Sequence, residues 1–301
     1  MIRRSLLLIF VLAILSRQLA LPASPAENGS KALEIKLPLD SGSVRFAVIG
    51  DSGTGEKEQY TVAEKMEAYR QQVKFDSVIM LGDNIYGSHH PKDFERKFER
   101  PYKTLLDAGV KFYASLGNHD DPNDERLYKP FNMGGERYYT FRKGDVEFFV
   151  LDSNYMDPNQ LSWLQKALQN SKSKWKICYF HHPLYSDGKV HGPDLDLRTR
   201  LVPLFRQYEV NAVFSGHEHA YERIKPREGV YYFILGNSGK LVTHDFSASD
   251  QMEKAYDSDR CFMMVEVSGD KLYYQTVTGS GETIDAGKLD RQQASAAATG
   301  R

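Results

Sequence analysis

The chain has 301 residues, 41% hydrophobic, 26% charged and 12% aromatic, which excludes collagen-like, low-complexity and disordered chains and leaves ample length for a full core. A formal net charge of -1, from 39 basic against 40 acidic residues, points neither to a nucleic-acid surface nor to an acidic tail. Two cysteines cannot build a disulfide framework, and whether Cys178 and Cys261 pair stays open, since Cys178 also suits a buried thiol in an apolar strand.

In chain order, Arg3 and Arg4 precede an apolar run from Leu6 to Leu15, and Arg17 and a small-residue and proline stretch follow. This is the pattern of a secretory signal over 1–26, with cleavage after Ala23 or Ala26, and the run is short for the ~20 apolar residues of a membrane span. Its removal takes the net charge from -1 to -4, because 1–26 holds three arginines and no acidic residue. The mature protein is expected to be secreted or periplasmic, without a stable membrane anchor. Strands are predicted at Val44–Ile49, Ser77–Leu81 and Lys111–Leu116, with helices at Lys57–Gln72 and Pro91–Leu106. Tyr138–Arg142 and Val146–Leu151 read as an antiparallel pair joined across Lys143-Gly-Asp145. Asn159–Gln169 reads as a helix, Lys176–Phe180 as a strand, Leu197–Tyr208 as a helix and Ala212–Phe214 as a strand. Strands at Tyr231–Leu235, Phe262–Val267 and Lys271–Thr276 complete a β-rich end. This alternation implies a layered α/β fold in one domain, 44–280. The polar, Ala/Ser-rich stretch 287–301 is expected to be disordered.

Ligand groups in open α/β sheets gather at the carboxyl ends of strands. Five such ends here read Gly50-Asp51-Ser52-Gly53, Gly82-Asp83-Asn84-Ile85-Tyr86, Gly117-Asn118-His119-Asp120, His181-His182-Pro183 and Gly216-His217-Glu218-His219. Any one alone is commonly a turn. Together they point to metal, because clustered His and Asp at strand ends have few structural uses, and His217 and His219 would face one side if the segment is locally extended. A glycine at these ends allows a sharp turn and leaves room beside it.

The set resembles the calcineurin-like metallophosphoesterases, and within them the purple acid phosphatases of the tartrate-resistant type, over Asp51 to about Arg223. The matching motifs are Asp51-Ser-Gly53, Gly82-Asp-Asn-Ile-Tyr86, Gly117-Asn-His-Asp120, Cys178-Tyr-Phe-His181 and Gly216-His-Glu-His219, with Cys178 in place of a non-ligand valine. The resemblance implies a four-layer α/β/β/α sandwich of two mixed sheets flanked by helices. It implies that Asp51, Asp83, Tyr86 and His219 hold Fe(III), with Asp83 bridging. Asn118, His181 and His217 complete a site for a divalent ion, Fe, Zn or Mn. Tyr86 discriminates this branch from relatives such as the protein Ser/Thr phosphatases. The activity implied is acid hydrolysis of phosphate monoesters by water activated between the ions. His119 is expected to serve the leaving group or the phosphoryl charge, Asp120 to orient His119, and His191 to act as a second substrate-side histidine. His182 stands where those small enzymes carry tyrosine. His89-His90 reads as a loop over the site mouth, and His244 has no such context. Small phosphomonoesters or phosphoproteins are the expected substrates, with no nucleic acid as partner and a monomer as the state. The chain is short for the large plant-type enzymes, yet Gly216–Arg223 looks closer to them. The competing readings are a phosphodiesterase or nuclease on the same centre, disfavoured by the lack of a basic stripe, and a non-catalytic metal-binding or iron redox relative.

Overall fold

The computed structural model describes residues 33–247 and 249–291; the expected signal 1–26 and the last part of the expected tail, 292–301, lie outside the described residues. The elements in order are β1 (Val44–Ile49), α1 (Lys57–Val73), β2 (Ser77–Met80), α2 (Pro91–Phe94), α3 (Lys103–Asp107), β3 (Lys111–Ala114) and α4 (Pro122–Glu125). Then come β4 (Tyr139–Lys143), β5 (Val146–Val150), α5 (Pro158–Asn170), β6 (Trp175–Tyr179), α6 (Leu195–Gln207) and β7 (Ala212–Ser215). The chain closes with β8 (Tyr221–Arg227), β9 (Val230–Leu235), β10 (Met252–Tyr256), β11 (Cys261–Ser268), β12 (Lys271–Thr278) and β13 (Thr283–Asp290).

Two mixed sheets result, ordered β13-β12-β11-β1-β2-β3 and β10-β8-β9-β7-β6-β5-β4. The period of two along each strand sorts side chains between layers. Phe46 and Val48 of β1 meet Ile177, Phe214 and Phe233 of the second sheet between the sheets. Ala47 and Ile49 turn the other way, onto Val62, Met66 and Tyr69 of α1. Cys178 and Val213 face outward from the second sheet onto Leu164 and Leu168 of α5 and Leu201 and Phe205 of α6. This is the expected helix–sheet–sheet–helix layering. Cys178 and Cys261 are both free and buried, which answers the open question of their pairing.

Three sequence expectations need correction. The helix over Pro91–Leu106 is broken: α2 runs into a π turn at Glu95–Glu99, and α3 starts only at Lys103. Pro101 has no N–H to give to the Lys97 carbonyl, and Gln59 Nε2 donates to that oxygen instead (2.6 Å). The stretch 287–301 does not begin disordered, because Gly287–Asp290 completes β13, paired to β12 through Tyr274↔Gly287 and Leu272↔Leu289. Its polarity belongs to an edge strand: Ile284 and Leu289 reach the core between the sheets, and Asp285 accepts from Tyr221 Oη and Arg223 Nε, both at 2.8 Å. The domain also starts before Val44, since the Leu39 and Asp40 amides donate to the buried Glu266 carboxylate. β8 and β10 had no sequence prediction; Pro226 and the charges of β8, and the half-buried face of β10, blur the strand pattern.

Candidate metal centre

β1, β2 and β3 run parallel in one sheet, and β5, β6 and β7 run parallel in the other. Their carboxyl ends deliver the five polar motifs to one place. Asp51, Asp83 and His217 adopt positive φ (52°, 52° and 70°), a region sparsely used by residues other than glycine and tolerated best by Asp, Asn and His. Such backbone gathers at functional sites. Gly216 permits the approach of its loop, because a Cβ there would lie 2.4 Å from Asp51 Oδ2.

Asp51, Asp83 and His181 are buried and offer ligand atoms within 4.8 Å of one another. Asp51 Oδ2 accepts the His217 N–H (2.9 Å), while Oδ1 faces Tyr86 Oη (3.2 Å) and His219 Nε2 (3.4 Å). Tyr86 Oη is 3.3 Å from His219 Nε2. On the other side, His181 Nε2 lies 2.9 Å from Asn118 Oδ1, 3.0 Å from His217 Nδ1 and 3.5 Å from Asp83 Oδ1. Asp83 Oδ1 also accepts the His119 N–H (3.0 Å). The structure thus brings together Asp51, Asp83, Tyr86, Asn118, His181, His217 and His219.

The proton inventory shows what fits there. His181 Nδ1 sits 2.9 Å from the Leu81 carbonyl. A carbonyl can only accept, so Nδ1 carries the proton and Nε2 points a lone pair into the site. Asn118 Oδ1 and the carboxylate oxygens are acceptors too. A hard or borderline cation coordinated by nitrogen and oxygen resolves this convergence of acceptors. The electrostatics agree. Burial, and then the carboxylates of Asp51 and Asp83, push the Tyr86 phenol far up. Burial pushes Asp51 up and, with His181 adding, pushes His217 down; burial also pushes His219 down. Burial opposes ionisation of Asp83, but His181 and the His119 amide prevail and hold it below the usual carboxylate range. A multivalent cation would oppose the upward shifts of Asp51 and Tyr86 and reinforce the downward shifts of Asp83, His217 and His219, so that every one of these groups would stand deprotonated toward it.

His119 is exposed at the mouth, its ring 4.8 Å from that of Tyr86. His191 is exposed as well, 4.1 Å from the His217 ring and 5.6 Å from that of His219. His182 Nδ1 bonds Ser153 Oγ (2.8 Å), and burial followed by His181 holds it down at about 4. It lines a cleft of about 380 Å³ with Asn118, Asn154 and Tyr155.

Asp120 does not orient His119. Its Oδ1 accepts the Asn84 and Ile85 amides (2.8 and 3.1 Å), and its Oδ2 accepts the Gly117 amide (2.8 Å) and Asn84 Nδ2 (2.9 Å). It therefore staples the loop after β2 to the loop after β3. Burial, then Glu125, pushes it well up. His89 also departs from expectation. It turns inward from the mouth, placing Nε2 3.1 Å from Glu125 Oε1 and accepting the Asp121 amide.

Three contributors escaped the sequence reading. Lys240 Nζ lies 4.5 Å from the centre of the Tyr86 ring; the Gly236-Asn-Ser-Gly239 run directly after a strand was its only signal. Glu218 and Asp245 are buried beside the His191 loop, and burial together with Asp245 raises Glu218 to about 8.

A family model described as calcineurin-like phosphoesterase matches residues 44–221. Purple acid phosphatase 3 of Arabidopsis thaliana is 30% identical over 271 residues, covering 77% of this chain and 73% of its own. Purple acid phosphatase 17 of the same plant is 27% identical over 248 residues, covering 70% and 73%. Among solved structures, GAP50, described as the anchor in the inner membrane complex of Plasmodium, superposes with a TM-score of 0.72 at 20% identity, covering 83% of this chain and 90% of that one. This last likeness bears on the fold alone.

Proposed function

Because this chain belongs to the calcineurin-like phosphoesterase family, and to its purple acid phosphatases, we propose that this metallophosphoesterase is an exported acid phosphatase acting on phosphate monoesters at an iron-containing dimetal centre. The observation that carries the reading is the meeting of Tyr86 Oη with Asp51 Oδ1 and His219 Nε2. A phenol pushed up by burial ionises in acid only against a strongly Lewis-acidic ion, which favours Fe(III) beside it.

Asp51, Asp83, Tyr86 and His219 would hold that ion, and Asp83, Asn118, His181 and His217 a divalent one, Fe, Zn or Mn. Two such ions would supply Lewis acidity to the phosphoryl oxygens and make water acidic enough to act as nucleophile. The protein's own groups do the rest. Exposed His119 gives its proton to the leaving oxygen or steadies phosphoryl charge, and His191 faces the substrate from beside the His217 and His219 rings. The cleft at Asn154, Tyr155 and His182 receives part of the ester. Small phosphomonoesters or phosphoproteins are the substrates, and the working form is a monomer. Among the described residues no helix is long and apolar enough to cross a membrane.

The test is metal analysis followed by hydrolysis of p-nitrophenyl phosphate against its bis-ester. The expected result is two ions per chain, a visible charge-transfer band and preference for the monoester, with Tyr86→Phe losing the band and keeping its circular dichroism. Preference for the bis-ester would make the protein a diesterase. A colourless, fully active protein holding only zinc would overturn the Fe(III) assignment.

A further inference from the structure

The segment that carries His191 follows β6 and its ligand His181. Its tip is open to solvent, with Val190 55% exposed, yet its backbone is tied down. Asp245 Oδ1 accepts the amides of Lys189 and Val190 (3.0 and 3.1 Å). Glu218 Oε1 accepts the next two, His191 (2.9 Å) and Gly192. The Lys189 N–H is shared with the Asp245 main-chain carbonyl (2.8 Å), while the next three N–H groups, Val190 to Gly192, end on two side-chain oxygens alone, and both acids are buried. Behind them, Glu222 anchors the start of the loop through the Asp187 amide (2.8 Å) and Ser186 Oγ (2.6 Å). Gly188 lets the loop pass over Glu218, since a Cβ at that position would lie 2.3 Å from the Glu218 carboxyl carbon.

The origin of these acids gives the arrangement its meaning. Glu218 stands between His217 and His219, so one short turn presents imidazoles to the metal side and a carboxyl group to the loop. The left-handed backbone at His217 sends successive side chains of this turn in different directions, so it serves a different structure on each side. Asp245 arrives from far along the chain and holds the same loop from outside, next to the Gly188↔Phe246 bridge. A buried carboxyl oxygen accepts amides in either protonation state, and an amide that loses such an acceptor is left at a cost. Nothing in the metal centre requires Glu218 to be acidic.

We propose that Glu218 and Asp245 are positioning residues, a carboxyl clasp that fixes the His191 loop and so sets where His191 stands over the ligand histidines. The proposal rests on the substrate-side role given to His191 above. Displacing a catalytic group by about 1 Å can cost ~10²-fold in rate, so the clasp converts an exposed loop into a defined part of the site.

The test uses the metal-loaded full chain. Amide hydrogen exchange at Val190–Gly192 is expected to be slow in the wild type and about 10²-fold faster at His191 and Gly192 in Glu218→Ala and at Val190 in Asp245→Ala. Turnover should fall about tenfold in both with metal content unchanged. Glu218→Gln and Asp245→Asn, which keep an acceptor oxygen, should recover protection and return turnover to within about threefold of wild type. The double variant His191→Ala/Glu218→Ala should be no slower than His191→Ala alone, because both changes remove one function. Unchanged exchange in the alanine variants overturns the clasp and leaves the role of His191 intact. Multiplied losses in the double variant, or loss of metal from Glu218→Ala, show that Glu218 acts through the ligands and overturn the proposal. Unchanged turnover in His191→Ala overturns the role of His191, and the clasp as a positioning device falls with it.

Discussion

At the scale of single residues, His119 and Asp120 show what a motif can and cannot tell. Their neighbours in sequence point to metal, but side chains leave a tight turn in different directions. His119 emerges at the mouth beside Tyr86, whereas Asp120 goes inward to the Asn84, Ile85 and Gly117 amides. The gathering of the candidate ligands was legible because each lies within a few residues of a strand end. Lys240, Glu218 and Asp245 were not, because each gains its role from contacts distant in sequence. His119 has a clean test. His119→Ala should cost ~10²–10⁴ in rate, and more for alkyl phosphates than for p-nitrophenyl phosphate, whose leaving group needs no proton. Metal content should stay unchanged. Equal losses on both esters would favour charge stabilisation, and loss of an ion would make His119 a ligand.

At the scale of elements, strands with apolar, β-branched runs were readable, and the chain's departures from prediction have local causes. Pro101 splits the helix after α2, and Gln59 of α1 takes over the carbonyl left free. β13 escaped because its residues are edge-strand residues, polar on one side, with Lys271 and Asp290 paired across it at 2.5 Å. The loops after β2 and β3 carry the candidate ligands Asp83, Tyr86 and Asn118, and Asp120 joins them. Asp120→Ala removes the acceptor of three backbone amides, so it should lower unfolding free energy by roughly 2–4 kcal/mol and weaken metal retention. Urea titration and metal analysis on one preparation check this. A change under about 0.5 kcal/mol, as at an ordinary surface position, would show that the staple is dispensable.

At the scale of the whole molecule, the layered fold followed from alternation of element types, but the partition of strands between two sheets came from the family likeness. One buried acid gives a testable part of its pH response. Burial raises Glu125 to about 8 although Asp120 and Asn84 oppose it. A folded-state value above the unfolded one means that the contribution is fully present below the ordinary carboxyl range and fades as pH rises through about 8. Raising the pH from about 5 to about 8 should therefore destabilise the wild type more than Glu125→Gln, as measured by urea unfolding at both values. Parallel losses would show that Glu125 titrates normally. A last consequence comes from where the ligands originate. Asp51, Asp83 and Asn118 hang from β1, β2 and β3 of one sheet, and His181, His217 and His219 from β6 and β7 of the other. Ions seated among them would rivet the two halves of the sandwich. Stripping them should shorten survival against a broad-specificity protease by about tenfold or more, with equal lifetimes arguing that the halves hold without metal. Metal scarcity would then deplete the protein itself and not merely silence it.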